Sequence, residues 1–150
     1  MDIQLATVND AKEIANMSRD YIEEGLDWSW TEAKVAYAVR EPETIVAVAK
    51  TGDLLTGFSI MFFKESTAHL SLLAVKPIYR RLGIGRELVS WLEESAKTAG
   101  TFYISLEVRK NNTVAQNFYQ NLGYIPNNIV EGYYQQKEAA IKMVKDLSVA

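Results

Sequence analysis

Residues 68–109 read as strand, helix, strand, and that order constrains the fold more than any other feature of the chain. A strand of about Ala68–Lys76, carrying the apolar run Leu70–Val75, comes first. A helix follows from about Gly83 to Ala99. Leu88, Leu92 and Ala96 or Ser95 recur on its inner face, with Glu87, Glu93, Glu94 and Lys97 on the solvated one. Gly100 ends it, and Phe102–Arg109 is a second strand. Two strands joined through a helix lie parallel in one sheet with a right-handed crossover. The chain is therefore of the α/β class.

The helix emerges from the segment V-K-P-I-Y-R-R-L-G-I-G-R, residues 75–86. A helix start exposes unpaired N–H groups and a partial positive charge, so it attracts anions. Gly83 and Gly85 flank Ile84 and leave the backbone open to a phosphate. Arg80, Arg81 and Arg86 add charge-assisted donors. A plain tight turn fits the glycines equally well. The arginines ahead of them favour a pyrophosphate cradle. Arg86 and Glu87 stand where a P-loop needs Lys and Ser/Thr, and Leu88 stands where a dinucleotide fingerprint needs its third glycine.

Around this unit, Ile3–Val8 reads as a first strand, with Asn9 or Asp10 capping a helix that runs to about Glu24. Thr31 caps a second helix ending near Arg40, before Glu41-Pro42. Thr44–Lys50 and Leu54–Phe63 form a hairpin across Thr51-Gly52-Asp53. A helix from about Thr113 to Leu122 and strands near Tyr124–Ile129 and Glu138–Leu147 complete the order β-α-α-β-β-β-α-β-α-β-β. This predicts a single α/β domain over residues 1–150, a mixed central sheet flanked by helices.

Net charge −3 and a pI near 5.2 argue against a general binder of nucleic acid or of an anionic membrane. The basic residues at 76–86 are then a local site on an acidic protein. Without cysteine, a thiolate zinc site or a cysteine nucleophile is excluded. The N-terminus shows no secretory pattern, and no apolar stretch reaches membrane-spanning length, so the expected setting is cytoplasmic. The oligomeric state is not legible; a homodimer is among the states allowed.

Strand 102–109 places Tyr103, Ser105, Glu107 and Arg109 on one face. Glu107 thus lies near the C-terminal end of a central parallel strand, where open α/β sheets bind ligands. From spacing alone it reads as a carboxylate paired with an arginine. Tyr119 falls in the buried stripe Ala115, Phe118, Tyr119, Leu122, and Asn112 is placed to cap that helix. His69, the sole histidine, reads as structural, and a metal site would need more ligands. Trp28, Trp30 and Trp91 read as packing residues.

Two strings change the weight of these residues: L-A-V-x-P-x-x-R-R-x-G-I-G-R at 73–86 and L-E-V-R-x-x-N-x-x-A-x-x-F-Y-x-x-x-G-Y at 106–124. Together they closely resemble the GNAT superfamily of acetyl-CoA-dependent N-acyltransferases. The first resembles its R/Q-x-x-G-x-G/A motif, as Arg80-x-x-Gly83-x-Gly85. The second, with the tail at 132–147, is similar to protein N-terminal acetyltransferases, in particular the ribosomal-protein-alanine group. Ala139 departs from that group's tail, where an acidic residue is usual, and Gly25–Trp30 matches no pattern of it.

The resemblance implies a GNAT-like fold in which strands 68–76 and 102–109 splay apart. It implies acetyl-CoA as co-substrate, held by backbone groups of Leu73 and Val75, by the loop Arg80, Arg81, Gly83, Ile84, Gly85 and Arg86, and by Asn112. No metal is expected. Glu107 matches the general base and Tyr119 the general acid, with a backbone N–H near Val75 as oxyanion donor. Trp30, Tyr133 and Tyr134 would line the acceptor side, although the tyrosines also suit edge-strand packing. The implied acceptor is a protein or peptide N-terminus. A small amine (polyamine or amino sugar) and a non-catalytic acetyl-CoA sensor remain as alternatives.

Overall fold

The computed structural model describes residues 1–134 and 138–148. Seven strands form one mixed sheet: β1 (Asp2–Leu5), β2 (Thr44–Thr51), β3 (Leu54–Lys64), β4 (Thr67–Val75), β5 (Tyr103–Arg109), β6 (Ile125–Tyr134) and β7 (Glu138–Asp146). The order is β1-β2-β3-β4-β5-β7-β6. β4 and β5 are parallel, as expected from the helix between them, and the other pairs are antiparallel.

The helices α1 (Ala11–Met17) and α2 (Glu32–Arg40) cover one face, and α3 (Ile84–Thr98) and α4 (Thr113–Asn121) the other. Alternation along the strands feeds both cores. Phe58, Ile60, Leu72 and Ala74 pack with Ile14 and Val35, while Met61, Leu70, Ile104 and Leu106 pack under Leu88 and Leu92. Leu88 and Leu92 are fully buried, each contributing about 1.5–3 kcal/mol of burial. Leu92→Ala would leave a cavity costing about 2–5 kcal/mol.

The parallel pair holds for only three residues: Thr67 with Tyr103, Ala68 with Ile104, and His69 with Ser105. Beyond them β4 stays with β3 and β5 stays with β7, so the strands part into a V. A register shift between Ile60 and Met61 of β3, opposite Leu70–Leu72, bends β4 at the point of departure.

Several expectations are corrected. The first strand stops at Leu5, and Val8–Asp10 forms a 3-10 turn. Asp10 does not cap α1; its carboxylate turns back to accept from Thr7 N–H at 2.9 Å and pairs with Lys50. The first helix ends at Met17 and widens into one π turn, Ser18–Ile22. Glu23 N–H closes that turn on Ser18 C=O at 2.7 Å, and the buried Glu23 carboxylate takes the Ser18 hydroxyl at 2.7 Å. Glu93 is not solvated: it accepts from Tyr124 Oη at 3.0 Å and from Lys145 Nζ at 2.9 Å. The strand expected near Tyr124–Ile129 runs on to Tyr134, through an irregular register at Gly132, whose φ is +63°.

Candidate active site

The V opens onto two adjoining clefts of about 870 and 800 Å³. Tyr21, Leu73, Asn112, Ala115 and Tyr119 line both. The larger is walled by the 21–30 segment, β4, β5 and the tyrosines of β6; the smaller by residues 79–86 and α4. The sheet thus offers two chambers meeting at a common throat.

Glu107 sits in the larger chamber, its side chain 13% exposed. The expected arginine partner is wrong. Glu107 Oε2 meets His69 Nε2 at 2.5 Å, and His69 Nδ1 lies 3.1 Å from Ser71 Oγ. Parallel register explains this: His69 pairs with Ser105, so His69 and Glu107 project from the same face at the point where the strands part. His69 is therefore part of the site and not merely structural. The usable signal was its alternation phase on β4 taken with the parallel pairing, which relates residues 38 positions apart.

Two tyrosines close the chamber. Tyr133 stands beside Glu107 and packs edge-on against Tyr134 with ring centroids 4.9 Å apart. The bulge around Gly132 re-aims this end of β6 toward β5. Burial, then the neighbouring Glu107 charge, raises the Tyr133 pKa; burial also raises that of Tyr134. Both stay neutral donors.

Tyr119 stands in the throat. It is buried as its helical stripe predicts, packing edge-on against Phe118 and Tyr124. Burial, followed by Tyr134, pushes its pKa well above the usual value, so the hydroxyl holds its proton. Among the described residues it has no hydrogen-bond partner. Asn112 caps α4, its Oδ1 accepting from Ala115 N–H at 3.0 Å, and it lines both chambers.

The wall at 23–30 is organised by one carboxylate. Glu23 accepts from Ser18 Oγ, Ser29 N–H and Ser29 Oγ, each at 2.7 Å, and from Trp30 N–H at 3.2 Å. Burial works to raise its pKa, but the four donors outweigh burial and hold it below the ordinary glutamate value. Trp30 is thereby fixed on the chamber wall, 6.4 Å from the Phe62 ring, with Lys34 Nζ 4.3 Å from its own ring.

In the smaller chamber Gly83 precedes α3 with φ +83°, and Ile84 begins the helix. Arg81 also has positive φ, +65°, a conformation that strains a non-glycine residue. Gly85 has a packing role that the sequence did not show: an added Cβ would lie 3.1 Å from Phe118 Cζ, so it lets α4 approach α3. Arg80, Arg81 and Arg86 line this chamber. On β4, Lys76 N–H bonds Thr56 C=O of β3, so the Val75 carbonyl of the same peptide faces the gap. There it meets Arg80 Nε at 3.0 Å. Strand alternation turns the Val75 and Leu73 N–H groups into the gap as well. The open strand edge and the helix terminus fit an extended chain ending in phosphates. Among the described residues no cluster of His, Cys, Asp or Glu could hold a metal ion.

Comparison with known proteins agrees with this geometry. A model of the acetyltransferase (GNAT) family matches residues 9–124. An uncharacterized N-acetyltransferase of Methanocaldococcus jannaschii is 36% identical over 99 residues, 65% of this chain and 64% of that protein. The N-terminal acetyltransferase B complex catalytic subunit of Arabidopsis thaliana is 29% identical over 152 residues, 97% of this chain and 85% of that one. The chain spans 64%, 46% and 49% of the length of three curated relatives it matches. The crystal structure of the Escherichia coli ribosomal-protein-S18-alanine N-acetyltransferase superposes with a TM-score of 0.82 at 26% identity, covering 99% of this chain and 95% of that one. A Thermoplasma acidophilum N-acetyltransferase solved with coenzyme A shares the fold, with a TM-score of 0.82 at 20% identity over 97% and 98% of the chains.

Proposed function

The chain belongs to the acetyltransferase (GNAT) family, and we propose that it is an acetyl-CoA-dependent N-acetyltransferase whose acceptor is the N-terminal α-amine of a protein or peptide. The observation that carries the reading is the pair of chambers meeting at Tyr119, with the Glu107–His69 contact in one and the helix terminus in the other.

Acetyl-CoA supplies the acetyl thioester. Its phosphates suit the α3 terminus with Arg80, Arg81, Gly83, Ile84, Gly85 and Arg86, and its arm suits Leu73, Val75 and Asn112. In the larger chamber Glu107 takes a proton from the acceptor's ammonium group, directly or through water, and the free amine it leaves attacks the thioester carbonyl. His69 extends that proton path to Ser71. As the N–C bond forms, backbone N–H groups of the β4 edge at Val75 stabilise the oxyanion. As the C–S bond breaks, Tyr119 gives its proton to the departing sulfur, and the second proton released from nitrogen returns to the Tyr119 oxygen, directly or through solvent. Direct transfer follows, since no cysteine can carry the acetyl group. Trp30, Tyr133 and Tyr134 line the acceptor path. A cytoplasmic setting suits this co-substrate, and no helix among the described residues is long and apolar enough to cross a membrane.

Thiol release from acetyl-CoA tests this with peptides bearing Ala, Ser or Met at the N-terminus, with polyamines and with amino sugars. Release with peptides supports the proposal; release only with small amines replaces the acceptor. Tight coenzyme binding without turnover on any of them favours a sensor. Glu107→Gln and Tyr119→Phe should each lower kcat about 10²-fold or more, and His69→Gln less than Glu107→Gln. Wild-type rates in both of the first two would remove the acid–base assignment.

A further inference from the structure

Arg109 closes β5 and reaches three separate stretches of chain. Its Nη2 donates to the Ile22 carbonyl at 2.7 Å, at the end of the π turn. Its Nε lies 3.3 Å from Glu138 Oε2 at the start of β7. Its Cζ stands 5.7 Å from the centre of the Tyr134 ring, the last residue of β6. The side chain is 21% exposed, so these contacts are largely screened from water. The terminal carbonyls of a helical turn lack partners within it, and a planar guanidinium can serve one while pairing a carboxylate and facing a ring.

Arg109, Ile22 and Tyr134 line the larger chamber. Neither they nor Glu138 line the smaller one, where the phosphates would bind. The geometry points to Arg109 as a positioning residue that sets affinity for the acceptor, by strapping the 18–30 wall to the β6–β7 hairpin across the end of β5. It touches no reacting atom. This assignment rests on the acceptor-chamber reading above. Through it the segment that leads into Glu23 and Trp30 is tied to Tyr134, where no strand pairing joins them.

The test measures KM for both substrates, and kcat, in Arg109→Met, Arg109→Lys and Glu138→Gln. Arg109→Met should raise the acceptor KM tenfold or more while leaving the acetyl-CoA KM within twofold. Arg109→Lys should recover part of the loss, because one ammonium can reach a single partner. Glu138→Gln should show a smaller rise of the same kind. Hydrogen exchange reads the strap without turnover: in Arg109→Met, amides of residues 18–30 and 130–134 should exchange faster while those of 84–90 do not. An equal rise in both KM values, a fall in kcat with the acceptor KM unmoved, or faster exchange across the whole chain would each overturn the strap. A wild-type enzyme inert with every amine, together with the local exchange pattern in Arg109→Met, would overturn the acceptor reading and leave Arg109 as a structural strap alone.

Discussion

Glu23→Gln changes one oxygen for an amide and tests how the acceptor wall is held. The carboxylate accepts four donors within 3.2 Å, two from side chains and two from the backbone, at 6% exposure. A carboxamide presents NH2 where an oxygen stood, so at least one donor loses its acceptor and faces another donor. Hydrogen bonds to a charged group contribute about 1.5–3 kcal/mol each, and an orphaned buried donor costs about 1–3 kcal/mol more. Release of the 23–30 loop into water caps the loss, so about 3 kcal/mol is expected. For a chain of this length that lowers Tm by about 6–12 °C. The same donors hold the native Glu23 pKa below its unfolded value. The stabilisation is then fully present above the unfolded glutamate pKa, about 4.3, and is lost as pH falls through the lower folded value. Urea unfolding of both proteins from pH 7 downward measures this. The gap between wild type and Glu23→Gln should narrow below about pH 4. A variant within 0.5 kcal/mol of wild type at pH 7, or a gap that widens in acid, would refute the reasoning.

Two further outcomes follow from packing. Gly85→Ala puts a methyl group 3.1 Å from Phe118 Cζ, so Phe118 must move; about 1–3 kcal/mol of stability should be lost in urea unfolding, with weaker coenzyme binding by calorimetry. Lys145→Met strips Glu93 of its ion pair at 2.9 Å and should cost about 1–3 kcal/mol, while adding Glu93→Gln should restore part of it in a double-mutant cycle.

The strand–helix–strand unit was legible because periodicities of 2 and 3.6 meet there at sharp boundaries, and with it the parallel pair and the glycine turn that starts α3. Tyr119 was legible as a core tyrosine by its stripe, and its place between the two chambers is what the structure adds. The Glu107–His69 contact was not. It depends on which residues of two distant strands lie side by side, a register that the helical crossover between them sets and that neither strand's own pattern encodes. Glu23 was hidden because it continues a helical pattern while its carboxylate folds back on Ser18, Ser29 and Trp30. The length of β6 was hidden for a related reason: it lies at the sheet edge, its outer half is mostly exposed, and Gly132 interrupts any alternation.

The three-residue junction between β4 and β5 has a mechanical meaning as well. It divides the sheet into a four-stranded block and a three-stranded block, joined by a short ladder, the α3 crossover and side-chain packing. A coenzyme arm lying along both strand edges would act as a removable eighth strand. It would complete the hydrogen bonding between the blocks and make them unfold as one. The stability gained grows with coenzyme concentration as the logarithm of one plus the ratio of free coenzyme to its Kd. The cell's acetyl-CoA supply would then govern the cohesion of this enzyme as well as its rate.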